Sequence, residues 1–298
     1  MHGWIIIDKP IGLGSTQAVS AVKRALRQSG AGKVKVGHGG TLDPLATGVL
    51  PIALGEATKL AGRMLDSDKI YDFTIRFGEQ TSTLDAEGEV IATSDVRPSR
   101  GAVETMLIHF TGPIEQAPPM YSAIKIDGKR AYDLARAGEE VAMKLRSVTI
   151  HSLRIRDEAA GEGGLIEVTL TAHVSKGTYI RSLARDIALA LGTVGHVVIL
   201  RRVKAGPFTL DGAISLDNLA DAANERGVAQ LMLPLTAGLD DIPALPVTAE
   251  EALMLRQGKV LPTGLRKEGL MLATQGDVPV ALVEVSGPDI RVVRGFNL

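Results

Sequence analysis

Asp43 is the one carboxylate between Gly37 and Leu54, in the run GHGGTLDPLATGVLPIAL. Leu42 precedes it, and Pro44 and Leu45 follow. Three kinds of chemistry fit an acid in that setting. The glycines at 37, 39 and 40 suggest a phosphate loop. A P-loop, however, ends in Gly-Lys-Ser/Thr, and a dinucleotide fingerprint needs glycine where Leu42 stands. A second reading is structural: Asp before Pro starts a turn or caps a helix. The third is a carboxylate held in an apolar-walled cleft. Pro44 restricts residue 43 to extended backbone, and the glycines let a ligand approach the chain closely. Such a group can act as nucleophile, base or cation stabiliser. No second carboxylate lies within ten residues of Asp43, so a local two-carboxylate hydrolase pair is not indicated.

The elements that must position this acid are read from apolar periodicity and punctuation. Trp4 to Asp8 forms a short apolar strand that runs into a turn over Pro10 to Gly14. Ser15 or Thr16 caps a helix to about Gln28, with Val19, Val22 and Leu26 on one face. Ile70 to Phe77 alternates as a strand, and Arg100 to Phe110 is helical. Gly112 to Pro119 reads as a Pro-rich loop and Ala131 to Ala137 as a short helix. Strands follow at Ser147–Arg156 and Leu165–His173, joined by a flexible Glu158–Gly164 segment. Thr178 to Leu191 is a helix, and His196 to Val203 is strand-like. Strands and helices mix without a βαβα beat, which indicates an α+β fold. A boundary is expected near Pro234–Pro246, before a small β-rich module with strands at Gly269–Ala273, Val278–Val285 and Ile290–Arg294.

The chain has 298 residues, 45% of them apolar, which suffices for a large core and argues against disorder. With no cysteine, a disulfide framework, thiolate catalysis and Cys-type metal centres are excluded. The run MHGWIIIDKP is too short an apolar stretch for a signal peptide, so a soluble cytoplasmic protein is expected. Net charge is −1, but it is unevenly spread. Tyr121 to Arg156 holds eight basic and four acidic residues, and Lys176 to Leu210 holds six and one. Asp211 to Glu251 reverses this, with eight acids and one base. Two basic blocks inside a neutral chain point to an anionic partner.

Residues 36–59, VGHGGTLDPLATGVLPIALGEATK, resemble the signature of the tRNA pseudouridine-55 synthases, the TruB family. Further segments resemble that family in the expected order: IIIDKPIGLGST, SDKIYDF, TSTLDAEG, PPMYSAIKIDGKRAYDLAR, VSKGTYIRSLARDI and HVVILRR. The likeness spans about residues 3 to 210. It implies an α+β fold with a mixed, largely antiparallel central sheet flanked by helices. It implies a catalytic domain over 1–240, with an RNA-binding insertion around 112–148, and a PUA-like RNA-binding module over 245–298. The absence of lysine-rich tails resembles the bacterial, stand-alone type rather than the relatives guided by box H/ACA RNAs.

The resemblance also implies roles. Asp43 is the catalytic residue, acting on ribose C1′ or uracil C6 while uridine in the T-arm loop of tRNA, position 55, becomes pseudouridine. His38 lies near the flipped nucleotide, Tyr71 stacks on the target uracil, and Tyr179 borders the pocket. Arg181 pairs with Asp43, and Leu200 lines the uracil site. Lys59, Lys125, Lys129, Arg130, Arg136, Arg201, Arg202 and Lys204 are phosphate-contact candidates, and Lys9 is either solvated or a further one. Isomerisation calls for no cofactor or metal, the stand-alone type implies no guide RNA, and a monomer is expected. A tRNA-folding factor using the same surface, alone or beside catalysis, and a small-molecule nucleotide enzyme using Asp43 are the competing readings.

Overall fold

The structure, a computed structural model, describes residues 1–122, 125–126, 129–130, 143–264 and 267–298. The chain opens with β1 (Gly3–Lys9), α1 (Ser15–Gln28), β2 (Val36–His38) and β3 (Thr47–Leu54). A 3₁₀ turn over Gly55–Leu60 leads into α2 (Ala61–Asp66) and β4 (Lys69–Phe77). The short pair β5 (Glu79–Thr81) and β6 (Val90–Thr93) precedes α3 (Arg100–His109) and β7 (Gly112–Gln116). After the two-residue strands β8 (Lys125–Ile126) and β9 (Lys129–Arg130) comes the long hairpin of β10 (Arg146–Gly161) and β11 (Gly164–Val174). Next are α4 (Ile180–Ala190), β12 (Gly195–Ala205), β13 (Phe208–Thr209), α5 (Leu216–Asn224) and β14 (Leu233–Pro234). The last part holds β15 (Ala244–Pro246), α6 (Ala249–Arg256), β16 (Leu261–Pro262), β17 (Gly269–Gln275), β18 (Val278–Ser286) and β19 (Asp289–Gly295).

The main sheet has the order β14-β1-β3-β12-β4-β11-β10-β7, with β2 added to β3 and β13 to β12. Its described pairs are antiparallel except β3 with β12. The expected α+β fold with a largely antiparallel central sheet is therefore found. A second sheet, β15-β17-β18-β19-β16, is built by the last part of the chain.

The main sheet is covered unequally. One face packs along its length against α1, α4 and α5, through Ile5, Ile7, Phe73, Ile75, Leu170 and Ile187 among others. Among the described residues, the other face is covered only at the β1–β3 end, where Trp4, Ile6 and Val49 meet Leu272, Leu282 and Phe296 of the second sheet's part of the chain. Hence Trp4 to Ile7 is buried without interruption, the signature of a strand enclosed on both faces. Strand β11 instead alternates buried and partly exposed residues, because one of its faces is open.

Three sequence expectations are corrected. Gly112–Gln116 is not a loop but strand β7, paired with β10. It lies at the end of the sheet order, where Pro113 can be tolerated in a strand. The supposedly flexible 158–164 segment is ordered in the β10–β11 hairpin, with Gly161 opposite Gly164. The N-cap of α1 is Gly14, reinforced by Gln17 reaching back to its amide, and Ser15 is freed for another task. The expected helix at 131–137 lies outside the described residues.

Candidate active site

The loop carrying Asp43 joins β2 to β3 and is fixed by groups from three other elements. From α1, the Ser15 hydroxyl accepts from the Leu42 amide at 2.8 Å and donates to the Leu42 carbonyl at 3.0 Å. From β12, Arg202 donates Nε to the Val49 carbonyl at 2.8 Å and its Nη atoms to Thr41 and Gly40 carbonyls at 3.2 and 3.4 Å. From β1, Lys9 Nζ donates to the carbonyls of Pro10, Leu13 and Pro44 at 2.9, 2.5 and 3.4 Å. Leu42, Leu45 and Ala46 anchor the same loop in the core. Backbone follows side chains: Gly12 N–H donates to the Pro44 carbonyl, and Ala46 N–H to that of Asp43. Gly48, at φ +101°, lies so close to β12 that a Cβ there would stand 2.2 Å from the Arg202 carbonyl oxygen. Glycine is therefore required where the Asp43 loop meets the sheet.

Asp43 itself faces outward from this frame, its side chain 43% exposed. Arg181, in the first turn of α4 and nearly buried, donates Nη2 to Asp43 Oδ2 at 2.7 Å. The rest of the guanidinium is committed. Nη1 donates to the Thr83 carbonyl at 2.9 Å and lies 3.2 Å from Asp85 Oδ2, and Nη2 also donates to the Tyr121 carbonyl at 3.0 Å. A planar fork with this many fixed partners has little freedom, so it holds the Asp43 carboxylate in one orientation. The two carboxylates also lie near the N-terminal end of α4, where the helix dipole favours negative charge.

Asp85 is 2% exposed and belongs to a segment quoted above, yet nothing local in TSTLDAEG marks it as the buried partner of an arginine about a hundred residues away. Its Oδ1 accepts from Thr83 Oγ1 at 2.5 Å and from the Glu87 amide at 3.1 Å. Burial pushes the Glu87 carboxyl up, and the charges of Asp85 and Asp43 add to the shift. Gln116 was equally hidden. It is 1% exposed and brackets Tyr179, donating to its carbonyl at 3.1 Å and accepting from its amide at 2.8 Å. That bond pair sets the residue from which α4 starts, which explains why the helix begins at Ile180 rather than at Thr178.

A cavity of about 290 Å³ opens above Asp43, lined by Asp43, Tyr71, Tyr179, Arg181, Leu200 and Arg202 with others. Tyr71 and Leu200 come from neighbouring strands, β4 and β12, whose register sets Tyr71 opposite Arg202 and Leu200 opposite Phe73. Burial pushes the Tyr179 hydroxyl above its ordinary value, and Asp43 contributes in the same direction. Lys69 lines the wall and donates to the carbonyls of Met64, Leu65 and Ser67, closing the C-terminal end of α2. Burial lowers it to about 8, and Arg202 adds to that shift. Five of the six residues expected at the reacting centre thus share one cavity. His38 stands apart on β2, opposite Ile52, and does not line it. Burial and the nearby Arg202 charge lower its imidazole below the usual value.

The phosphate candidates separate into different jobs. Arg202 is 1% exposed and Lys9 is 0% exposed, so both are internal braces of the Asp43 loop and not surface contacts. Lys9 is lowered to about 8, chiefly by burial. Arg201 is forked onto Asp8 at 2.8 and 3.1 Å and also reaches Thr47. Lys59 binds Glu56 at 2.6 Å and the Gly295 carbonyl at 2.9 Å, tying the 3₁₀ turn to β19. Lys204 is exposed on β12. Arg136 and the side chains of Lys125, Lys129 and Arg130 lie outside the described residues.

The geometry has counterparts. Residues 23–180 match the model of the TruB family pseudouridylate synthase N-terminal domain, and residues 181–240 that of the tRNA pseudouridylate synthase B C-terminal domain. A tRNA pseudouridine synthase B of Novosphingobium aromaticivorans is 61% identical over all of this chain and 98% of its own length. One from Zymomonas mobilis is 59% identical, over all of this chain and 96% of its own. Among solved structures, a Cbf5–Nop10–Gar1 complex contains a chain with 26% identity and a TM-score of 0.73, covering 98% of this chain and 84% of that one. An H/ACA RNP bound to a substrate RNA shares the fold at 23% identity, with a TM-score of 0.73, covering 99% of this chain and 85% of that one. On these matches, the chain belongs to the TruB family of pseudouridylate synthases.

Proposed function

We propose that this chain is a tRNA pseudouridine synthase that isomerises uridine at position 55, in the T-arm loop, with Asp43 as nucleophile or charge stabiliser. The observation that carries the reading is the Arg181–Asp43 pair, fixed on its protein side and open on the cavity side. In the reaction the N1–C1′ bond breaks, the uracil turns, and a C5–C1′ bond forms. The C5 proton leaves to solvent and N1 gains one, so atoms and electrons balance without a redox partner or an energy source. An oriented carboxylate serves the step in which C1′ loses its base, or adds to C6.

A base stacked in a folded RNA must first be extruded, at a cost of a few kcal/mol. Tyr71 stacks on the extruded uracil, Leu200 and Tyr179 wall it, and His38 contacts the RNA from β2, beside the cavity. The second sheet, over residues 244–295, acts as a PUA-like RNA-binding module beside the catalytic domain. The enzyme works as a monomer without guide RNA, in the cytoplasm, and unfolding the tRNA elbow lets it assist tRNA folding. No helix of the described residues is long and apolar enough to cross a membrane.

The test uses a T-arm stem-loop tritiated at C5 of its uridines. Wild-type protein releases tritium from the T-loop uridine without added cofactor, and Asp43→Asn releases none while still binding the RNA. Release by the variant would overturn the role of Asp43. Release from other uridines alone would overturn the T-arm assignment.

A further inference from the structure

The sequence shows no clustered metal ligands, but the fold makes a cluster. His151 and His173 lie on the adjacent strands β10 and β11, and Asp68 directly precedes β4, the strand on the other side of β11. Register explains how they meet. Ile150 pairs with Val174 and Ser152 with His173, so His151 is the extra residue of a β-bulge. A bulge breaks the alternation of side chains and re-aims one of them. Here it puts the His151 ring beside that of His173, with centroids 4.7 Å apart and planes tilted by 47°. Lys69 pairs with Val174, which brings Asp68 to the same corner of the sheet.

We propose that Asp68, His151 and His173 form a binding site for a divalent first-row metal ion of borderline softness, with zinc as the reference ion. Asp68 Oδ2 is 3.2 Å from His151 Nε2 and 3.6 Å from His173 Nε2. All three ligand atoms lie within 4.8 Å of one another. Around a tetrahedral ion with bonds of about 2.0–2.1 Å, neighbouring ligands stand about 3.3–3.4 Å apart. Both carboxylate–imidazole edges are thus close to the required length before any ion enters. Two imidazoles and one carboxylate suit zinc, cobalt or nickel better than magnesium or calcium, which prefer oxygen. The side chains are 48%, 36% and 39% exposed in the order Asp68, His151, His173, which leaves room for water to complete the shell. The charged neighbours are Lys204, which acts on His173 from β12, Lys69, which follows Asp68 and interacts with it, and Lys176, which is neutralised by Asp66 at 2.9 Å.

The site lies on the open face of the sheet, away from Asp43. Its consequence is mechanical. An ion there staples the 67–68 link between α2 and β4 to the β10–β11 hairpin. Leu65 and Lys69, on either side of that link, line the catalytic cavity. The inference is independent of the substrate proposed above.

The experiment is calorimetric titration of tag-free, chelator-stripped protein with zinc chloride, alongside Asp68→Asn, His151→Ala and His173→Ala. The three residues are partly exposed, so circular dichroism is expected to show each variant folded, and His151→Gln repeats the test with a bulkier neutral side chain. The expected result is saturable one-to-one binding tighter than about 100 µM. Each substitution weakens it at least tenfold, and zinc raises the melting temperature of the wild type alone. No saturable binding would reduce the cluster to an ion pair and overturn the site. Binding unchanged in all variants would put the metal elsewhere, as at His2, and overturn it equally.

Discussion

Strands β4, β11 and β12 carry two different chemistries on their two faces. On the covered face, Tyr71, Leu200 and Arg202 line the cavity, and Arg181 joins them from α4. Every cation described there except Asp43's partner is spent on backbone: Arg202 on three carbonyls, Lys69 on three, Lys9 on three. On the open face, one residue along, Asp72 pairs with Arg156 and Thr171, Arg76 pairs with Glu167, and Asp68 meets two histidines. These pairs are partly exposed. The lesson is that burial, and not charge, separates positioning from binding: enclosed cations build the site, and solvated ones remain free to exchange partners.

The sharpest way to break that contrast is to remove the cation shared by both carboxylates. Arg181→Met strands Asp85 in the interior and frees Asp43. Turnover is expected to fall at least ~10³-fold, and stability by about 3–5 kcal/mol, as for a broken buried pair. Single-turnover kinetics and urea denaturation read the two effects. Gly48→Ala comes next, because the new Cβ meets the Arg202 carbonyl at a positive φ. A loss of about 2–4 kcal/mol is expected, visible as a lowered urea midpoint. Ser15→Ala removes both hydrogen bonds to Leu42 and leaves that buried amide unpaired. About 1–3 kcal/mol is expected, with kcat reduced more than RNA affinity.

Lys204→Ala, on the open face, sharpens the comparison from the other side. Its chemistry step is expected to be unchanged. Affinity for tRNA should weaken only a few-fold, with a shallower salt dependence by about one phosphate contact. The smallest effect concerns pH. Lys9 is lowered to about 8 in the folded chain, from 10.5. Between those values the unfolded chain binds the extra proton, so stability rises with pH across that window and the group's penalty is fully present below about 8. In Lys9→Met that component of the rise should vanish. Lys69 titrates over the same range in both proteins and cancels in the difference.

The candidate site was legible where its residues sit in continuous motifs. Asp43, Tyr71, Tyr179, Arg181 and Leu200 could be named because short segments carry them, and the apolar periods placed α1, α3, α4, β4, β11 and β12 within a few residues, while β3 went unnamed. What failed has one physical cause. An arginine or lysine read locally looks like surface, and nothing near Arg202 or Lys9 states that carbonyls 161 or 35 residues away will use its protons. Asp85 and Gln116 were hidden for the same reason. Strand β7 was missed because Pro113 suggests a loop, and only the sheet order shows that it lies at an edge. The histidine pair was invisible because a bulge, not a sequence spacing, aligns it.

The frame around Asp43 also has a history in time. Asp43 and Arg181 are separated by 138 residues of sequence. At roughly 5–20 residues per second, a ribosome needs on the order of ten seconds to make the second after the first. Throughout that interval the nascent chain carries Asp43 with Ser15 and Lys9 already made but without Arg181 and Arg202. The contacts from Arg181 and Arg202 close only when α4 and β12 arrive, so a truncated product bearing the full Asp43 motif would lack both.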